Sequence, residues 1–326
     1  MSDINQHRRR ILQTILAAGL LPALPACTAR PSTLRLAGNE WLGFQLLFMA
    51  QGLGYTSKLP LHLQLTTSST DTIAMLQRGE IDGAMITLDE ALALCVDKVP
   101  IKVVLLFNVS LGADVVLAKA SIQQASDLRG RRIGMEAGSL GRLMLDALLE
   151  YAELEMDEVE IVYLSPEQHH YAWQHDEVDA LICYEPLASQ MLSEAGWVIF
   201  DSRMIPDRIF DVLVVTEQTI KQHTKTLRGV VAAYFQALHH FRSNPVDASH
   251  RLGHLIGMPS EDVLRLFRGL FLPDERANLE YLSTDDTRIR LAASELLARL
   301  YPAEAVAGCE VAGLFDNRFI PRVQAW

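Results

Sequence analysis

Short apolar runs alternate along this chain with longer segments in which apolar residues recur every three or four positions, a pattern of alternating strands and helices. Strands are expected at 33–37, 61–66, 83–87 and 101–107, separated by helical patterns at 44–54, 70–78 and 88–96. That rhythm predicts a mostly parallel sheet covered by helices on both faces. Residues 114–119 read as a further strand leaving the unit. A second series follows the polar stretch 123–127, with strands at 132–136, 160–164, 180–183 and 197–200 and helices at 140–152, 166–174 and 185–195. After one more apolar strand at 211–215 the pattern turns helical. Across 225–242, Leu227, Val230, Val231, Tyr234, Phe235, Leu238 and Phe241 share one side, and shorter helices are expected at 246–257, 260–271 and 286–301. Pro259 suits the first turn of the second of these.

The N-terminal 27 residues, MSDINQHRRRILQTILAAGLLPALPAC, break this pattern. Arg8-Arg9-Arg10 precedes an apolar run from Ile11 to about Leu24, too short and too rich in proline to span a bilayer but suited to an export signal. Leu24-Pro25-Ala26-Cys27 resembles a bacterial lipobox, which implies lipidation of Cys27 and removal of an export signal at 1–26. His7 to Leu12 also resembles a twin-arginine signal. The same arginines fit the basic region of a general secretory signal, and cleavage after Ala26 or Ala29 would release a soluble protein instead.

Composition describes an ordinary globular protein: 49% hydrophobic, 7% aromatic and 21% charged, with no further apolar stretch near membrane-spanning length. The net charge is −11, and loss of a leader with three arginines and one aspartate takes it to −13. A chain this acidic carries no general basic field for nucleic acid, so no nucleic-acid partner is expected. The cysteines are Cys27, Cys95, Cys183 and Cys309; with Cys27 lipidated the other three, scattered and without zinc spacing, leave room for at most one disulfide. Buried reduced thiols are the expectation.

Two α/β series with a helical C-terminal third imply two lobes around a cleft, with ligands outside the carboxyl ends of the strands where helix N-termini gather. The segments at those places are Asn39-Glu40-Trp41-Leu42-Gly43-Phe44, Ser68-Ser69-Thr70-Asp71, Thr87-Leu88-Asp89-Glu90, Asn108 to Asp114, Gly138-Ser139-Leu140-Gly141 and Tyr184-Glu185-Pro186. Among them run two "E-(I/V)-D" phrases, Gly79-Glu80-Ile81-Asp82-Gly83 and Glu177-Val178-Asp179-Ala180, and the phrase Asp127-Leu128-Arg129-Gly130-Arg131-Arg132-Ile133-Gly134. In this order, over about residues 33–250, they resemble the periplasmic solute-binding proteins of ABC importers for nitrate, sulfonate, taurine and thiamine-precursor ligands. The resemblance implies a bilobal type II periplasmic-binding-protein-like α/β fold: two parallel-dominated sheets flanking a ligand cleft, with a helical C-terminal part. One lobe is expected from 33–113 and 212–326 and the other from 114–211, joined by crossings near Asn108–Asp114 and Ile209–Asp211. It also implies a small-molecule ligand, a membrane permease as partner and a monomer; a sensor module signalling to a membrane receptor is the alternative.

The candidate ligand-binding residues are the strand-end groups. Hydroxyls and backbone N–H groups of Ser68, Ser69, Thr70, Gly138 and Ser139 precede helices and point toward the cleft. Trp41 and Tyr184 offer flat walls. Asn39, Glu40, Thr87, Asp89, Asn108, Asp114, Glu136, Glu185 and Asp211 complete the set. Carboxylates dominate, whereas lysine and arginine are almost absent from these segments, which favours a nitrogenous ligand, planar and thiamine-precursor-like, over a sulfonate or nitrate. Related enzymes that make the thiamine pyrimidine use a cysteine-rich loop that this chain lacks, and no catalytic residue is assigned. Cys183 is expected to pack. His169, His170 and His175 do not share one helical face, nor do His239 and His240, so histidines on the surface or behind the site residues are expected and no metal site. No phosphate loop or dinucleotide fingerprint appears, so no cofactor is expected.

Overall fold

A computed structural model describes residues 32–192, 196–285 and 287–322, so the export signal and Cys27 lie outside the described residues. The strands are β1 (Leu34–Gly38), β2 (Leu61–Leu65), β3 (Gly83–Thr87), β4 (Ile101–Ser110), β5 (Asp114–Lys119), β6 (Arg132–Met135), β7 (Glu160–Tyr163), β8 (Ala180–Tyr184), β9 (Gly196–Asp201), β10 (Phe210–Thr216) and β11 (Leu270–Phe271). They form a six-stranded sheet, β11-β4-β10-β3-β1-β2, and a five-stranded sheet, β7-β6-β8-β5-β9. Both are mixed rather than mostly parallel. β10 runs antiparallel to β3 and β4, and β5 runs antiparallel to β8 and β9. The reason is the chain path: β5 and β10 are the strands that arrive from the other sheet, so they enter against the direction of the βαβ strands.

Helices α1 (Leu42–Gly52), α2 (Ser69–Gln77) and α3 (Leu88–Val96) follow β1 to β3. In the second unit, α4 (Ser139–Ala152), α5 (Pro166–Gln174) and α6 (Leu187–Leu192) follow β6, β7 and β8. Period-two alternation sorts β5 between two cores: Val116 and Ala118 join the large one, while Val115 and Leu117 pack with Trp173 and Leu181 on the opposite face. The two sheets are linked by the segments 110–114 and 202–210, which are bonded to each other. Ser110 Oγ and Ser202 Oγ lie 2.8 Å apart, and Ser110 N donates to Ile209 O at 3.0 Å.

The two E-(I/V)-D phrases have one structural meaning. Asp82 Oδ2 accepts from the backbone N (2.8 Å) and Nε (3.0 Å) of Arg35 on β1, and Asp179 Oδ2 accepts from N (2.9 Å) and Nε (3.1 Å) of Arg132 on β6. Each aspartate fixes the start of its neighbouring parallel strand, at the end of the sheet remote from the cleft.

The C-terminal part departs most from its sequence pattern. The amphipathic helix α7 spans Glu217–Ser243, with Thr216 capping its start and a kink at His223. It is followed by α8 (Pro245–Ile256), α9 (Ser260–Leu266), α10 (Glu275–Tyr281), α11 (Arg288–Leu300) and α12 (Val311–Leu314). The helix expected to reach residue 271 stops at Leu266, because Leu270 and Phe271 pair with Val109 and Ser110 as β11. Gly269 allows this, since a Cβ there would lie 2.8 Å from Ala113 N. Asn278, fully buried, substitutes for a further strand: its Oδ1 accepts from Leu106 N (2.8 Å) and its Nδ2 donates to Leu106 O (3.1 Å). The thiols expected to be reduced are corrected too. Cys95 of α3 and Cys309 form a disulfide across 214 residues, with Cα atoms 5.3 Å apart, and Cys183 alone is a buried free thiol among the described residues.

Candidate functional site

The carboxyl ends of the βαβ strands in both sheets face each other across the cleft, as the strand-end rule requires. In the first sheet the register sets Asp211 of β10 opposite Thr87 of β3 on one side and Asn108 of β4 on the other. In the second it pairs Asp114 of β5 with Tyr184 of β8. Loops after β1 and β6 add Asn39, Trp41, Glu136 and Gly138. Between the sheets lies an enclosed cavity that leaves about 40 Å³ for the centres of water-sized groups.

Trp41 stands edge-on to Tyr184 across the cleft, with ring centroids 5.6 Å apart and planes at 83°. Its Nε1 donates to Asn108 Oδ1 (3.1 Å), and Asn108 Nδ2 donates to Asp211 Oδ2 (2.6 Å), so one buried relay orients tryptophan and carboxyl together. Gly43 makes room for it: a Cβ there would meet Asn108 Oδ1 at 1.7 Å. Asn39 Nδ2 reaches Ser69 Oγ (3.3 Å) and, across the cleft, the Tyr184 hydroxyl (3.4 Å). At the mouth, Thr70 Oγ1 donates to Ala137 O (3.0 Å) and lies 3.3 Å from Glu136 Oε1.

The cavity is strongly acidic. Burial, with repulsion from Asp89, pushes Glu90 up to about 8 even though its Oε2 accepts from Thr87 N at 2.9 Å. Burial also raises Asp114 to about 7. Asp211 is raised well above the carboxylate range by burial and by Asp114. Burial raises Asp89 and Glu136 as well. No lysine or arginine lines this wall. Opposite stands His169 of α5, only 1% exposed and lowered by burial to about 4, hence a neutral imidazole.

Of the residues singled out from sequence, Asn39, Trp41, Ser69, Thr87, Asp114, Glu136, Gly138, Tyr184 and Asp211 come together in the cavity wall. Asn108, Asp89 and Ser139 are not in the wall. Asn108 supports Trp41, and the Ser139 hydroxyl opposes the rise of Asp89. Glu40 lies in the wider vestibule outside, and Ser68 and Thr70 line a neighbouring groove. Ser68 caps α2 through its Oγ, accepting from Asp71 N at 3.1 Å. Glu185 turns away to accept from Ser189 N (3.0 Å) and Oγ (2.8 Å). The wall also contains residues not singled out: Phe44, Glu90, Leu140, Gly141, Met144, His169, Ile182 and Cys183. His169 corrects the expectation of histidines on the surface or behind the site residues, because α5 turns it into the cavity wall while His170 stays partly exposed. Gly141 was visible as the end of the G-S-L-G phrase; its Cβ would sit 2.5 Å from Glu136 O, so α4 packs directly on that loop. Glu90 was visible beside Asp89 in its strand-end segment.

Comparison with known proteins agrees with this fold. A taurine-binding periplasmic protein of Escherichia coli is 28% identical over 181 residues, which cover 53% of this chain and 56% of the relative, so the match spans little more than half the relative's length. The alkanesulfonate-binding protein of Xanthomonas axonopodis pv. citri, solved bound to MOPS, shares the fold with a TM-score of 0.68 at 17% identity, covering 86% of this chain and 98% of that one. A desulfurization enzyme shares it with a TM-score of 0.65 at 16% identity, covering 89% of this chain and 97% of that one. The fold is therefore that of periplasmic binding proteins, and it also carries an enzyme. The profile described as NMT1/THI5 like matches residues 42–248, and by that match over more than half its length the chain belongs to the NMT1/THI5-like family.

Proposed function

We propose that this chain is the extracytoplasmic solute-binding protein of an ABC importer and captures a small, planar, nitrogen-rich molecule, thiamine-precursor-like in character. One observation carries the reading: an enclosed cavity walled from both sheets by an aromatic pair and by carboxyls, with no lysine or arginine and with His169 as a neutral imidazole. Two lobes, 33–113 with 212–326 and 114–211, close on the ligand about the crossings at 110–114 and 202–210. Closure changes the outer surface, and a permease reads that change.

The family, and its taurine-binding and alkanesulfonate-binding relatives, support solute binding. The charge of the site separates the ligand class from the sulfonates those names mention. An anion placed about 4 Å from even one ionised carboxylate is repelled by about 4 kcal/mol at an effective dielectric near 20. A nitrogenous ligand presents N–H donors to the same oxygens. A role as an enzyme is disfavoured by the thiol itself: Cys183, raised by burial and by Glu185 and Asp114, stays protonated and is a poor nucleophile.

The long-range disulfide suits an oxidising compartment. The Leu24-Pro25-Ala26-Cys27 segment supports lipid anchoring, and Cys27→Ser is expected to move the protein from the membrane to the soluble periplasmic fraction. A thermal-shift screen with aminopyrimidines, thiamine, polyamines, taurine, alkyl sulfonates and nitrate tests the ligand class. Ligand at about a hundred times Kd adds about 2.7 kcal/mol, a shift of a few degrees. Hits confined to sulfonates or nitrate would replace the nitrogenous ligand by an anion.

A further inference from the structure

We propose that the enclosed cavity selects a ligand group that enters as a cation, an ammonium, amidinium or protonated ring nitrogen, and that its capture expels a proton from the cavity carboxyls. The inference rests on the solute-binding reading above and specifies the charge of the solute.

Four carboxyls gather at this site almost without solvent contact: Glu90 (4% exposed), Asp114 (3%) and Asp211 (3%) in the cavity wall, from α3, β5 and β10, and Asp89 (0%) beside Glu90 on α3, outside the wall. Glu136, beyond the end of β6, is the fifth. If hydrogen bonding alone were needed, amides would supply acceptors without the cost of burying charge, and Asn39 and Asn108 already do so in the same place. Acids concentrated without a lysine or arginine hold protons when the cavity is empty, and they become ionised together only opposite a cation. Neither carboxylate oxygen of Asp89 nor Oδ2 of Asp114 makes a well-formed hydrogen bond among the described residues, although the hydroxyls of Ser139 and Thr87 stand near Asp89 and that of Ser110 near Asp114.

An independent observation comes from the opposite wall. His169 belongs to a different helix, is 1% exposed and lines the cavity; one ring N–H leans on the Leu164 backbone without a well-formed hydrogen bond, and the other nitrogen has no partner among the described residues. A neutral imidazole so placed accepts an N–H from the ligand on the face away from the acids. The edge-to-face pair Trp41 and Tyr184 adds aromatic faces that favour a cation. Among the described residues no three His, Cys, Asp or Glu side chains are grouped to hold a metal ion, so the cation that fits is an organic one.

The other titratable groups facing these carboxyls are Cys183 and Tyr184 from β8 and Tyr301 beyond Asp89, all uncharged near neutrality, while Asp71 adds negative charge beside Glu136. Before capture, mutual repulsion keeps protons on part of the set. A cation entering the cavity favours ionisation, and the displaced proton passes to solvent, so charge balances in the closed form. Affinity therefore rises with pH until the last of these protons is already gone.

The test uses two sets of shape-matched probes on the purified protein: benzamidinium, benzamide and benzoate, then propylammonium, taurine and propanesulfonate. Titration calorimetry in buffers of different protonation enthalpy counts the protons exchanged, and the same reading is taken on any hit from the wider solute panel. The expected result is that the cations bind at least about tenfold more tightly than their neutral or anionic partners, release protons, and gain about tenfold between about pH 6 and about pH 8. Asp114→Asn and Glu136→Gln should each reduce the preference for the cation and the number of protons released. Equal or tighter binding of a neutral or anionic analogue, or binding of a cation without proton release, overturns the cation inference and leaves solute binding standing. No binding by any probe or panel solute removes the solute-binding reading as well.

Discussion

At the scale of single residues, the buried acids give the free protein an unusual pH profile. Glu90 and Asp114 hold their protons more tightly when folded, with pKa values of about 8 and about 7, than carboxyls do in an unfolded chain. The folded state therefore binds more protons through the window from about pH 4 to these values, and stability falls as pH rises across it, by about 1.4 kcal/mol per pH unit for each such group. Melting temperature without ligand is expected to drop between pH 5 and 8, and Glu90→Gln, which keeps an acceptor for Thr87 N, to lessen the drop; identical profiles would deny Glu90 this role. Gly43 yields a second prediction. Gly43→Ala must push Asn108 away from Trp41 and Asp211, so it is expected to cost about 1–3 kcal/mol of overpacking and to weaken ligand binding, both readable by thermal melts and calorimetry. The strand-end position of Trp41 and Asp114 could be read from sequence, because a strand end is a local pattern. The inward turn of His169 was legible only in part: it stands three and four residues before the buried Ala172 and Trp173, but a nine-residue helix with just two such apolar residues gives too short a stripe to say that its inner face meets a cavity.

At the scale of elements, the strand–helix series of both sheets is legible because each apolar run and each helical stripe buries a face locally. The exceptions lie where a partner comes from far along the chain. Cys95 and Cys309 carry no sign of their pairing, which depends on the C-terminal segment being laid against α3. Closing so long a loop is expected to contribute about 2–5 kcal/mol, so a Cys95→Ser, Cys309→Ser double variant should melt several degrees lower, and reductant should lower the parent but not the variant. A second element-scale prediction concerns the E-(I/V)-D phrases. Asp82→Asn and Asp179→Asn each weaken a charge-assisted bond at a strand start, remote from the cavity. Each is expected to lower stability by about 1–2 kcal/mol while Kd for any identified solute stays unchanged. A change in Kd without a change in melting temperature would contradict the clamp role.

At the scale of the whole molecule, the two sheets meet through few contacts at the mouth of the cavity, chiefly Thr70 with Ala137 and Asn39 with Tyr184. On the two-lobe closure proposed above, these bonds form as the cleft shuts. Loss of one exposed bond of about 0.5–1.5 kcal/mol in Thr70→Val should speed solute release by roughly threefold to tenfold in stopped-flow, with association nearly unchanged. The amino-acid sequence by itself determined the alternation of strands and helices, the strand-end loops that carry polar groups, and the acidity of those loops, because these follow from local period and composition. It also carried the ordered phrases by which the family is recognised. Only the tertiary structure decided that the sheets are mixed, that β11 and Asn278 complete the edge of β4, that Cys95 pairs with Cys309, and that Glu90, Asp114, Glu136 and Asp211, from four separate parts of the chain, wall one cavity with His169. Each of those depends on contacts between segments tens to hundreds of residues apart, and burial in that shared space, not the local sequence, sets the ionisation of its acids.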